Sequence, residues 1–266
     1  MSYRQPMHRR FANALVNNEF VVFYQPVLDL QTGEIIGCEA LCRWPHGDNQ
    51  FTPPDVFIPQ AEASGFIVQL GEWVLKTATE QIHRWQRKFD IPILLEVNLS
   101  ARQFVHYNLV RSIESILRTI QFQPASLEFE ITETVAMTNA DDSIGIMRQL
   151  KNLGIALALD DFGTGYSSLS HLKRFPIDKL KIDKSFVRDI PNDGNDLAIV
   201  SAIIAMAHAL GLKVQAEGVE TEAQAEFLRE CECELAQGFL FGRPLPADEF
   251  ESLFEQYHRG GLVFKN

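Results

Sequence analysis

Apolar positions fall in two rhythms along this chain. In residues 19–30 (EFVVFYQPVLDL) and 34–44 (EIIGCEALCRW), branched and aromatic residues crowd into short runs that read as strands. Only Gln31, Thr32 and Gly33 separate them. That connection is too short for a parallel crossover, so the pair is expected to be antiparallel. Pro26 fits an edge or an irregular point of the first strand. From Pro53 the period lengthens, with a loop or short helix over 54–64 and a long amphipathic helix over about 66–89.

An alternation follows. Strands are predicted at 93–99, 127–132, 155–160, 179–183, 213–216 and 235–239. Helices are predicted around 108–120, 141–150, 167–174, 196–210, 221–230 and 248–258. Eight strands, with helices alternating after the first pair, imply an α/β fold: a single TIM-like (β/α)8 barrel with one antiparallel strand. An open doubly wound sheet is the structural rival, and periodicity alone does not separate the two. No Ser/Gly-rich linker or low-complexity stretch divides the chain, so residues 1–266 are read as one domain.

Hydrophobic residues make up 46% and charged residues 22%, an ordinary globular composition. The net charge of -11 argues against long nucleic acid as a partner and suits a site that collects carboxylates for metals. No apolar run reaches the length of a membrane span, and residues 198–212, interrupted by Ser201 and His208, read as a packed helix. Arg4, Arg9 and Arg10 are not followed by a signal-peptide core. A cytoplasmic location is expected, either as a soluble protein or as the cytoplasmic part of an inner-membrane protein. Cys38, Cys42, Cys231 and Cys233 lack the spacing usual for zinc and read as buried, reduced thiols. The scattered histidines form no ligand motif, and Trp73 and Trp85 read as core.

Candidate chemistry lies at the strand ends. In ALALDDFGTGYSSL, an apolar strand runs into Asp160 and Asp161 and then into a turn containing Gly163 and Gly165. Two adjacent carboxylates at the end of a buried strand are costly unless a cation joins them, and hard divalent ions prefer such oxygens. Asn98, Glu130, Lys181, Asp183, Glu217 and Gln237 occupy the corresponding ends of other strands. A lone polar residue there is usually a helix cap or a loop residue. The same placement on six consecutive strands signals a site, because barrel chemistry collects at that end. Parity sharpens the reading. Glu39 and Arg43 share one strand face, expected to be the barrel mouth, and Cys38 and Cys42 share the other.

These residues resemble the EAL domain family of cyclic di-GMP phosphodiesterases in bacterial second-messenger signalling. The naming triplet is Glu39-Ala40-Leu41. YQPVLDL, VNLSARQF, EITE, DDFGTGYSSL, LKID, AEGVE and QGFLFGRPL follow in the family's order, over about residues 11–255. The resemblance implies a barrel with one reversed strand and metal-dependent hydrolysis of cyclic di-GMP to linear pGpG. It also implies two Mg2+ or Mn2+ ions, with Ca2+ binding but inhibiting. Glu39, Asn98, Glu130 and Asp160 would hold one ion, and Asp160, Asp161 and Glu217 the other. Lys181 would contact the attacking water or the phosphate, making Lys181, Glu217, Asp160 and Asp161 the catalytic set. Gln25, Leu41, Arg43, Asp183, Glu220 and Gln237 would contact substrate, and Glu133 would hold the DDFGTGYSS loop. A homodimer and an upstream sensory or membrane domain are the family expectation.

Five carboxylates in that set carry -5, which two divalent ions and Lys181 balance. The alternative is a catalytically silent EAL domain acting as a cyclic di-GMP receptor. Such a receptor typically lacks a ligand, and here every ligand position is filled.

Overall fold

The computed structural model describes residues 4–46, 50–163 and 169–260. Gly165 and the expected helix start at 167–168 lie outside the described residues. Helix α1 (Arg4–Val16) precedes a hairpin of β1 (Val21–Asp29) and β2 (Ile35–Pro45), which the short β3 (Phe51–Thr52) extends. Helices α2 (Pro54–Ser64) and α3 (Ile67–Phe89) follow. Then come β4 (Leu94–Asn98), α4 (Ala101–Phe104), α5 (Leu109–Ile120), β5 (Leu127–Thr132), α6 (Glu133–Thr138) and α7 (Ala140–Asn152). The chain continues through β6 (Ala156–Phe162), α8 (Leu169–Leu172), β7 (Lys179–Ile182), α9 (Lys184–Val187) and α10 (Gly194–Ala209). It ends with β8 (Lys213–Ala216), α11 (Glu222–Glu230), β9 (Leu235–Ala236) and α12 (Ala247–Gly260).

Strands β2, β4, β5, β6, β7, β8 and β9 run parallel, each bonded to the next. The reversed β1 pairs antiparallel with both β2 and β9 and closes the ring. The fold is therefore a TIM-like barrel with one antiparallel strand, and the open sheet is excluded. Pro26 sits beside the register shift at Val27/Leu28, where β1 changes neighbour from Leu245 to β9. A missing N–H is tolerated at such a point. Strand β9 is shorter than expected. Gly238 approaches Val219 so closely that a Cβ would lie 2.0 Å from its carbonyl oxygen, and the chain turns there.

Alternation sorts the strands into two environments. Leu95 and Val97, Leu127 and Phe129, Leu180 and Ile182, and Val214 and Ala216 pack into the main core with the helices. The intervening positions point to the barrel interior, which carries the polar residues. Cys38 belongs to the helix-side core and Cys42 packs against it, as parity predicts. All four cysteines are free thiols. Trp85 is buried between Tyr24 and Phe250, with ring centroids 4.9 and 5.0 Å away, and its indole N–H donates to Glu251 at 2.6 Å. Trp73 is part-buried against Phe20.

Helix α1 is absent from the pattern-based reading. Its apolar residues Met7, Phe11, Ala14 and Leu15 form a narrow stripe in a polar sequence. That stripe joins a second core with Phe20, Trp44, Phe57, Ala61 and Phe66. Phe11 stacks on Phe66 at 5.4 Å, so α1 is fixed by tertiary packing with α2 and the start of α3. Among the described residues, no helix is long and apolar enough to cross a membrane.

Candidate active site

Neighbouring residues of a regular strand point to opposite faces, so Asp160 and Asp161 could not share a site without a distortion. Strand β6 supplies one. Its register with β7 shifts between Leu159 and Phe162, and Asp161 adopts the left-handed region at φ 57°. The Asp161 N–H donates to Asp160 Oδ1 at 2.9 Å. This bulge brings the second carboxylate to the mouth, as bulges beside active sites commonly do. Gly163 follows at φ 95°, where a Cβ would lie 2.9 Å from the Phe186 ring. Its N–H donates to Glu133 Oε2 at 3.3 Å, which ties Gly163 to the buried Glu133.

The strand-end residues meet around Lys181. Its fully buried ammonium pairs with Glu130 and stands 2.6 Å from Glu217 Oε1. Glu39 accepts from the Asn98 amide on one oxygen and from Gln237 Nε2, at 2.8 Å, on the other. Burial disfavours the Lys181 charge, but Glu130, Glu217, Asp160 and Glu39 together hold its pKa well above the ordinary lysine value. Burial drives Glu130 well above the carboxylate range; Lys181 opposes this, while Glu39, Glu96 and Asp160 add to it. Burial likewise pushes Glu217 up to about 7; Lys181 opposes this, while Asp160 and Glu39 add to it. Asp161 is raised by burial and then by the charge of Asp160. One lysine does not neutralise this ring of carboxylates.

The donor set fits a divalent cation. Glu130 Oε2 is buried and has no hydrogen-bond partner among the described residues. Leaving such an oxygen unmatched costs on the order of 1–3 kcal/mol or more for a charged group. Glu96, Glu128 and Glu130 offer oxygens within 4.8 Å of one another, a buried acidic triad able to bind metal. Within it, Lys179 pairs with Glu96 and lies 2.5 Å from Glu128. Glu128 Oε1 likewise has no hydrogen bond of good geometry among the described residues, but the Lys179 ammonium lies 2.5 Å from it.

Two cavities flank the mouth, and Leu41 and Arg43 line both. One, of about 700 Å3, reaches α2 and includes Asn98 and Asp161. The other, of about 560 Å3, includes Gln25, Glu39, Glu217, Glu220 and Gln237. Gln25 Nε2 donates to the Gly242 carbonyl at 3.1 Å. Gln237 is buried with its amide nitrogen directed to Glu39, whereas Glu220 is exposed. Asp183 caps α9 by accepting from Ser185 N at 3.0 Å, so the plain helix-cap role holds for it structurally.

The sequence profile of the EAL domain matches residues 8–244. The chain belongs to the EAL domain family. This EAL domain is 47% identical over 236 residues to MucR of Pseudomonas aeruginosa, named a bifunctional diguanylate cyclase/cyclic di-GMP phosphodiesterase, covering 89% of the chain and 34% of MucR. It is 41% identical to the cyclic di-GMP phosphodiesterase PdeR of Escherichia coli, covering 92% of the chain and 37% of PdeR. The chain thus spans about a third of the length of these curated relatives. A solved structure described as the P. aeruginosa MucR phosphodiesterase in complex with c-di-GMP superposes with a TM-score of 0.88 at 45% identity. That match covers 92% of this EAL domain and 99% of the solved chain.

Some site residues escape a reading of strand ends. Glu96, Glu128, Lys179 and Gln215 form a polar layer inside the EAL barrel beneath the mouth, all buried. Strand parity places each of them two residues before a predicted site residue, and that was the available signal. Phe23, Phe239 and Arg243 line the smaller cavity, with Arg243 4.0 Å above the Phe239 ring. Phe239 and Arg243 fall within QGFLFGRPL and Phe23 just before YQPVLDL, but strand-end position does not single them out.

Proposed function

We propose that this EAL domain hydrolyses cyclic di-GMP to linear pGpG in bacterial second-messenger signalling. The observation that carries the reading is the ring of Glu39, Glu130, Asp160 and Glu217 around Lys181, with one Glu130 oxygen buried and unmatched. Family membership and the names of the relatives support the substrate. Two chambers divided by Leu41 and Arg43 suit a substrate with two purines.

Glu39, Asn98, Glu130 and Asp160 would hold one divalent cation, and Asp160, Asp161 and Glu217 the second. All-oxygen ligation favours Mg2+ or Mn2+, and the looser shell of Ca2+ makes it an inhibitor. Bound there, such ions polarise a phosphoryl oxygen and lower the pKa of a bound water. Water oxygen bonds to phosphorus, the P–O3′ bond breaks, and the 3′ oxygen takes up a proton. Lys181, fully charged at neutral pH, orients the water or phosphate and stabilises charge developing on phosphoryl oxygen. Glu217, whose Oε1 lies 2.6 Å from the Lys181 ammonium, belongs to the catalytic set as a ligand of the second ion. Arg43, part-buried between the chambers, offers its guanidinium to phosphate or guanine. Glu133 anchors the loop that begins at Gly163.

Chromatography of cyclic di-GMP incubated with the chain, with Mg2+, Mn2+ or chelator, tests this reading. Metal-dependent pGpG is the expected product. Tight binding without product would make the chain a receptor, and neither binding nor product would overturn the substrate assignment.

A further inference from the structure

Beneath the mouth, the Lys179 ammonium meets Glu96, Glu128 at 2.5 Å and Gln215 Oε1 at 2.5 Å. All four side chains are buried. An ammonium only donates hydrogen bonds, so the amide of Gln215 must turn its carbonyl to Lys179. Its NH2 group is then directed away, donating to Glu96 Oε2 at 3.0 Å and to Gln237 Oε1 at 3.5 Å. Gln237, with its carbonyl facing this donor, has its own NH2 on the far side, 2.8 Å from Glu39 Oε2. The direction of both amides is therefore set from below, by a cation two residues before Lys181 on the same strand. A Gln237 amide turned the other way would set a carbonyl against a carboxylate and an NH2 against an NH2, unfavourable at both ends.

We propose that Gln215 is a positioning residue for Glu39: seated on Lys179 and Glu96, it holds Gln237 so that the Gln237 amide donates to the Glu39 carboxylate. The inference rests on Glu39 being a metal ligand, and it adds the partners that aim that ligand. Hydrogen-bond partners behind a ligand typically change metal affinity about 10–100-fold when removed. Gln215→Met keeps length and burial but removes the amide. Lys179 retains both carboxylates, so the buried cation stays compensated.

The test is calorimetric titration of the full chain with MnCl2, comparing wild type, Gln215→Met, Gln237→Met and the double variant. Each single change is expected to weaken Mn2+ binding about 10-fold. The double variant is expected to bind no more weakly than Gln237→Met alone, because the two residues act in series. Unchanged affinity in Gln215→Met would overturn the proposal, as would losses that simply add. If Gln215→Met fails to fold, Gln237→Met, which leaves Lys179 untouched, decides: unchanged affinity there overturns the relay. A wild-type chain that takes up no Mn2+ defeats the metal reading itself and the relay with it. Mn2+ uptake without pGpG formation defeats only the hydrolase reading, and the relay stands.

Discussion

The Lys181 ammonium stands 2.6 Å from Oε1 of Glu217, joining the barrel interior at β7 to the first residue beyond β8. The same ammonium holds Glu130, so one buried cation organises two carboxylates proposed to belong to different metal sites. Substitution by methionine keeps the length and deletes the charge. Breaking a buried pair by removing one partner costs about 3–5 kcal/mol. Lys181→Met should therefore melt well below wild type in chelator, and added Mn2+ should raise its melting temperature more than it raises that of wild type. Formation of pGpG should fall about 100-fold or more, the scale of losing a donor to a developing charge. Scanning calorimetry with chelator and with Mn2+ checks the first part. Identical melting of the two proteins in chelator would count against the pairing.

Glu39→Ala removes the acceptor shared by Asn98 and Gln237. Turnover should drop at least about 100-fold and one of the two ions should be lost, while the far-UV circular dichroism stays that of wild type. Near-wild-type turnover would take Glu39 out of the metal site.

Phe11 fixes α1 to the second core, fully buried against Trp44 and Phe66. Phe11→Ala should destabilise the fold by about 3–5 kcal/mol, the usual range for an emptied aromatic site. Val16, 79% exposed on the same helix, should tolerate alanine within about 0.5 kcal/mol. Urea unfolding of the two variants separates them, and equal midpoints would mean that α1 is not anchored by this contact.

Glu251 gives a pH signature. The hydrogen bond from Lys88, at 2.6 Å, together with that from Trp85, lowers its pKa below 4.5. A depressed folded value means that the carboxylate contributes stability above the unfolded value and loses it as pH falls through the folded one. The melting-temperature gap between wild type and Glu251→Gln should thus be level above about pH 4.5 and close as the solution is acidified below it. A gap that widened in acid would reverse the assignment.

Much of the barrel was legible because strand burial and turn length are local properties. The hairpin follows from three intervening residues, and β5 and β8 span the residues that their alternating patterns predict. The parity of residues 38–43 correctly separated Glu39 from the cysteines. The helix α1 was not legible: a stripe of four apolar residues has little signal until Phe57 and Phe66 arrive to cover it. The helices α4, α6 and α9, each a turn or so long, carry too few residues to show a period.

The sequence by itself determined the residue types at the strand ends, their order, and hence the family. Those features are written in single positions and short spacings. Tertiary structure alone decided how the groups bear on one another. It placed the bulge that lets Asp160 and Asp161 share a mouth, the pairing of Lys181 with both Glu130 and Glu217, and the layer beneath in which Lys179 sets the direction of two glutamine amides. Charge balance and amide orientation depend on distances between residues far apart in sequence, as Glu39 and Gln237 are, and closing the barrel is what creates those distances.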